Sequence, residues 1–158
     1  AAPLAVLGLD LLAAANDDRL AEAPIDALII AEAAVAASAL NQIVKFAAGR
    51  ERPFVHFRSS GAPSAAPADD NLSFYSGHTS LAFSLAVAGG TVASMRGYRG
   101  APWVWVAGLA LAAITGYLRM AADRHYFTDV LVGAVIGSAM GFVIPFVLHP
   151  AEPPGASR

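Results

Sequence analysis

Polar and apolar residues are spread very unevenly along this chain. No Asp, Glu, Lys or Arg occurs in residues 71–95, 100–118 or 130–151. The middle run, GAPWVWVAGLALAAITGYL, is nineteen residues long. As a helix it would measure roughly 28 Å, close to the ~30 Å hydrocarbon core of a bilayer. Three such runs predict membrane-spanning helices. The alternative is a set of buried helices in a compact all-α protein, which the many alanines would also permit. A fourth helix is predicted over residues 24–49. Pro24 suits its first turn, and Gly49 with Pro53 beyond suits its end. Asp26 and Glu32 make it a poorer span, so it should pack inside a bundle or carry those acids near one membrane edge. Residues 1–16 are apolar but too short to span alone, and they read as the tail of an upstream helix. Ala stands first rather than Met, so a processed or truncated chain is expected. Residues 16–19 form a polar break, residues 61–71 (GAPSAAPADDN) a loop, and residues 150–158 a disordered tail. No strand alternation, internal repeat or glycine-rich nucleotide loop is present. The expected architecture is all-α, a transmembrane helical bundle forming one domain over residues 1–149.

Composition narrows the function classes. Of 158 residues, 56% are hydrophobic and 14% charged, against about 25% charged in an average soluble domain. This argues against a disordered chain and an ordinary soluble enzyme. Ten Lys and Arg stand against twelve Asp and Glu, a net charge of −2, so no basic excess speaks for nucleic acid. Cysteine is absent, which removes disulfides, Cys-based zinc sites and cysteine nucleophiles.

With so few polar groups, their positions carry the information. Lys45 and Arg52 are two helical turns apart and can face one way, while Pro53 biases Arg52 out of the helix. Alone, this cluster reads best as a positively charged helix end. Tyr75-Ser76-Gly77-His78-Thr79-Ser80 precedes an apolar run. Ser and Thr there can cap a helix, whose free amides would seat a phosphate, with His78 able to donate a proton. Equally, it reads as a capping loop with an incidental histidine. The third cluster holds Arg119, His125 and Asp129. His125 and Asp129 are four apart, so a carboxylate–imidazole bond on one helix face is easy. That bond would fix the tautomer and free the other ring nitrogen as base, ligand or nucleophile. The plain alternative is a polar helix start with Asp123 as its cap. A metal site is disfavoured, because no further carboxylate or histidine joins His78 and His125 at ligand spacing.

In this order the clusters resemble the type 2 phosphatidic acid phosphatase superfamily, which includes the vanadium haloperoxidases. Its signature has three blocks, K-x6-R-P, P-S-G-H and S-R-x5-H-x3-D. The first is complete here, from Lys45 to Pro53. The second reads Tyr75-Ser76-Gly77-His78, with tyrosine for proline. The third runs from Leu118-Arg119 through His125 to Asp129, with leucine for serine. The resemblance covers residues 24–148. It implies that Lys45, Arg52 and Arg119 bind phosphate oxygens, with hydrogen bonds from Ser76 and Gly77. It implies that His125 is the nucleophile, oriented by Asp129, and that His78 is the general acid. No metal or other cofactor is then expected, and vanadate should act as an inhibitor or phosphate mimic. Three cations can stabilise the transferring phosphoryl group without a metal.

If the helices alternate up and down, the ends carrying all three clusters meet at one end of the bundle. Arg96 and Arg99 lie at the other, which places the site on the periplasmic or outer face of a bacterial inner membrane. Membrane lipids are then the surroundings and a lipid-linked phosphomonoester or diphosphate the substrate. Head group, oligomeric state and any effect of Tyr75 and Leu118 on specificity stay open. Rival readings are a soluble secreted phosphatase or vanadate-dependent haloperoxidase of the same superfamily, and, from another class, a non-catalytic membrane scaffold or transporter.

Overall fold

The computed structural model describes residues 2–57 and 67–149. Part of the expected loop, residues 61–66, and the expected tail, residues 150–158, lie outside them. Among the described residues every regular element is helical. The longer helices are α1 (Ala2–Asn16), α2 (Ala23–Ala48), α4 (Gly77–Arg96), α5 (Ala101–Ala121) and α6 (Phe127–Val143). A short α3 (Pro53–His56) follows α2, a 3-10 turn covers Pro67–Asp69, and a π-helical turn, Ile144–Leu148, prolongs α6. Local chemistry sets the boundaries as expected. Pro24 sits in the first turn of α2, and Gly49 ends the helix with φ +56°, returning its N–H to the Lys45 carbonyl, a left-handed cap that glycine takes without strain. Pro53 leaves Arg52 extended, at φ −78° and ψ 152°.

The charge-free runs divide differently from expectation. Three stretches are long and apolar enough to cross a membrane, Ala23–His56, Ala101–Ala121 and Phe127–Leu148. The run at residues 71–95 is not one of them. Its helix, α4, is central, packed by α1, α2, α5 and α6, and most of its residues are buried in protein. The helix predicted as the poorer span, α2, presents Ile25, Leu28, Val35, Ile43 and Phe46 outward. Its Asp26 is buried at the bundle end opposite Lys45, held by Arg96 Nη2 at 2.7 Å and by the Tyr98 hydroxyl at 2.7 Å. Glu32 pairs with His149 at 2.6 Å. With Trp103, Val106 and Ile114 of α5 and Leu131 and Val135 of α6 also exposed, the apolar exterior is far larger than a water-facing protein carries. This is a membrane protein.

The closest helix contact joins α4 and α6, which run parallel. Gly133, Gly137 and Gly141 of α6 lie against the backbone oxygens of Ser76, Ser80 and Ser84 of α4. A Cβ on Gly133 would stand 2.7 Å from the Ser76 oxygen and one on Gly141 2.5 Å from the Ser84 oxygen. Spacing by four puts all three glycines on one face, so the backbones can touch, as in other membrane helix pairs. This contact sets the register that brings the two helix N-termini level, and the Ser76 N–H donates to the Asp129 carbonyl at 3.0 Å. Gly137→Val should therefore lower thermal stability in detergent by roughly 3 kcal/mol or more, since a buried backbone must move. Gly8→Val, where nothing lies within 4 Å, should leave the melting temperature nearly unchanged.

Candidate active site

Four helix ends meet at one end of the bundle: the C-termini of α2 and α5 and the N-termini of α4 and α6. Backbone bonds tie their loops together. The Ser73 N–H donates to the Arg50 carbonyl at 2.9 Å, the Arg52 N–H to Asp70 at 2.8 Å and the Phe54 N–H to Asp123 at 3.2 Å. Gly77 opens α4 directly against α2, where its Cβ would stand 2.5 Å from Asn41 Oδ1 and 3.6 Å from Lys45 Nζ. Glycine leaves room for the close approach that puts the ammonium beside the helix start. His78, in the first turn of α4, is exposed and within electrostatic reach of Arg119, Lys45, His125 and Arg52. The sequence-predicted residues therefore gather.

Each cation is held differently. Arg52 is buried, 4% exposed. Its Nε donates to the Asp69 carbonyl at 2.8 Å, Nη2 to the Asp69 carboxylate at 2.9 Å and Nη1 to the Arg124 carbonyl at 3.1 Å. Arg119, in the last turn of α5, has a buried Nε with no hydrogen-bond partner among the described residues. Lys45 feels repulsion from both arginines. Three converging cations, one with an unused buried donor, make a site that favours an anion. Ser76 takes the capping role that the sequence offered. It is fully buried, and its hydroxyl caps α4, accepting from the Thr79 N–H at 3.4 Å and bonding Thr79 Oγ1 at 2.8 Å. Among the described residues the Gly77 and His78 N–H groups have no backbone partner, which leaves the positive end of α4 facing the cations.

The third cluster is also arranged differently. His125 precedes the N-cap of α6, Tyr126, rather than sharing a helix face with Asp129. Asp123 is not the cap; it takes a positive φ of 52° in the preceding turn. The His125 Nδ1–H donates to the Ser73 carbonyl at 2.8 Å, while Asp129 Oδ2 stands 3.8 Å from the same nitrogen. A carbonyl only accepts, so Nδ1 carries a proton, and in the neutral ring Nε2 keeps its lone pair. Asp129, fully buried, instead gathers donors around this loop. Its Oδ2 accepts from the Ser73 hydroxyl at 2.5 Å and the Tyr126 N–H at 3.0 Å, and its Oδ1 from Arg50 at 2.7 Å. Burial is the main force holding the His125 imidazole below its ordinary value, helped by Arg52, Lys45 and Arg119 and opposed by Asp129.

The sequence pattern of the PAP2 superfamily matches residues 26–151, a stretch that contains every one of these side chains. The chain belongs to the PAP2 superfamily. A curated protein, the lipid A 1-phosphatase of Porphyromonas gingivalis, is 39% identical over 69 residues, 44% of this chain. That match spans 15% of the relative's own length. No solved structure matches.

Two departures of this PAP2 sequence from the family signature now have places. Tyr75 is fully buried and its carbonyl accepts from Asn41 Nδ2 at 2.8 Å, whereas Leu118 faces outward, 55% exposed. Three participants escaped sequence reasoning: Asn41, Arg50 and Ser73. Asn41 carried a signal, being one turn before Lys45 on the same face. Arg50 also stacks its guanidinium 4.2 Å over the Tyr126 ring, and neither it nor Ser73 stands out in the linear sequence.

Proposed function

We propose that this PAP2 protein is a lipid phosphatase that cleaves a lipid-linked phosphomonoester or diphosphate through a phosphohistidine on His125. The observation that carries the proposal is the Nδ1–H bond from His125 to Ser73, which leaves a Nε2 lone pair in a field of three cations. In the first step Nε2 attacks phosphorus and the bond from phosphorus to the lipid oxygen breaks. His78 gives its proton to that oxygen. Lys45, Arg52, Arg119 and the free amides at the start of α4 hold the equatorial oxygens, the charge stabilisation that phosphoryl transfer needs. In the second step His78, now neutral, takes a proton from water. The hydroxide attacks phosphorus, the N–P bond breaks, and phosphate leaves with His125 restored. Nucleophile and acid need opposite protonation states: the Ser73 carbonyl holds the Nδ1–H tautomer of His125, and the negative charge of the bound phosphate favours the proton on His78.

The metal-free mechanism, the outward-facing site on a bacterial inner membrane and the identity of the lipid all belong to this proposal. Arg96 and Arg99 at the far end of the bundle support the orientation, since Lys45, Arg52 and Arg119 at the near end are drawn into the site. The substrates to test are phosphatidate, phosphatidylglycerophosphate, isoprenyl diphosphate and lipid A phosphate, the last supported by the named activity of the Porphyromonas relative. The experiment is phosphate release from this panel in detergent with excess EDTA. Full activity is expected. Because His125 lies below its ordinary value of 6.5, the acid limb of kcat/KM should fall below pH 6.5, where the imidazole finally protonates. Activity lost to chelation and restored by one divalent ion would sink the proposal.

A further inference from the structure

Just below the cationic end, α2 and α4 part along a groove of about 360 Å³ lined by Ala34, Val35, Ser38, Ala39, Gln42 and Leu81. Helix spacing ties it to the site. Gln42 precedes Lys45 by three residues and Ser38 precedes it by seven, while Leu81 follows His78 by three. Residues at these spacings share a helix face. The groove therefore begins about one turn, ~5 Å, below the ammonium and the imidazole and runs away from them into the apolar zone. Its walls are alanine-rich, and Ser38 turns its hydroxyl proton onto the Ala34 carbonyl at 2.8 Å, which leaves little for a polar ligand to meet. Gln42, at the mouth, is the exception. It is exposed, with no hydrogen bond among the described residues. A polar amide on an outward-facing stretch of a membrane helix is costly unless something polar meets it.

We infer that this groove holds the hydrocarbon tail of the lipid phosphate, with Gln42 hydrogen-bonded to the ester or amide carbonyl that links tail and phosphate. The inference rests on the phosphatase proposal and adds where the lipid lies. A lipid substrate must leave its tail in the membrane while its phosphate reaches Lys45, and this apolar path begins there. The second groove, of about 310 Å³ between α1 and α2, is lined by Leu20, Ala23 and Pro24 at the opposite end of α2, a helix length from the cations.

The test compares kcat/KM for long-chain phosphatidate with kcat/KM for p-nitrophenyl phosphate in the same detergent preparation. Ala39→Phe fills the groove, and Ile43→Phe places the same ring on the exposed face beside it. The ratio should fall about tenfold or more in Ala39→Phe, the effect of displacing some two methylenes from an apolar site, and should keep its native value in Ile43→Phe. Gln42→Leu should lower the rate on phosphatidate relative to dodecyl phosphate, which has no carbonyl. A native ratio in Ala39→Phe, or an equal loss on both substrates, overturns the tail groove and leaves the phosphatase standing. Dissociation of a dimer by Ala39→Phe with no change in the ratio does the same and assigns the groove to a contact between chains. A native protein that hydrolyses neither substrate overturns both proposals.

Discussion

His125→Ala should abolish turnover, with a loss on the order of 10⁴ or more in kcat, the scale seen when a nucleophile is removed from a preorganised site. Alanine lacks the Nε2 lone pair, so no N–P bond can form. Quenching during turnover with a radiolabelled phosphate ester should label the native chain and leave the variant unlabelled. The surrounding cations survive the change: Arg52 stays on Asp69 and Arg124, and Arg119 keeps its free Nε. Binding of substrate phosphate should accordingly persist. Vanadate should inhibit the native protein, because its trigonal-bipyramidal geometry mimics the transition state, and the variant should bind it far more weakly. Undiminished turnover in His125→Ala together with insensitivity to vanadate would assign the chemistry elsewhere.

Asp129→Asn should cost on the order of 10²–10⁴ in kcat, by analogy with orienting carboxylates elsewhere, and do so without touching the substrate. The carboxylate accepts from Ser73, Tyr126 and Arg50 at 2.5, 3.0 and 2.7 Å. An amide turns one of its two oxygens into a donor, which must then face one of these donors. Ser73 is the sensitive partner, because its carbonyl receives the His125 Nδ1–H. A shift of that loop frees the imidazole to rotate. If Asp129 acts by positioning His125, as proposed, the loss should appear in kcat with KM little altered. Ser73→Ala, which keeps the carbonyl and removes only the hydroxyl, should cost less, about tenfold. A rise in KM alone for Asp129→Asn would mean instead that the carboxylate acts on substrate binding.

The linear sequence was sufficient for whatever depends on neighbours along the chain. Pro24, Gly49 and Pro53 delimit α2 and turn Arg52 out of it through backbone sterics that act over one or two residues. Ser76 was legible as a cap for the same reason. Long charge-free runs separated by polar clusters were enough for an all-helical bundle with its site at one end, since three or more antiparallel connections bring alternate helix ends together. Tertiary structure decided the rest. Counting charges treats a run buried in lipid and a run buried in protein alike, so the absence of charge did not separate central α4 from outward-facing α2. The contact between α4 and α6 depends on glycines 133, 137 and 141 meeting backbone oxygens on another helix, a match visible only when both are placed. His125 and Asp129 stand four apart, yet the imidazole bonds a Ser73 carbonyl 52 residues away. Every residue carries such a carbonyl, so nothing in the sequence distinguishes the one that becomes the partner. Only the fold, by bringing that loop against the start of α6, made the choice.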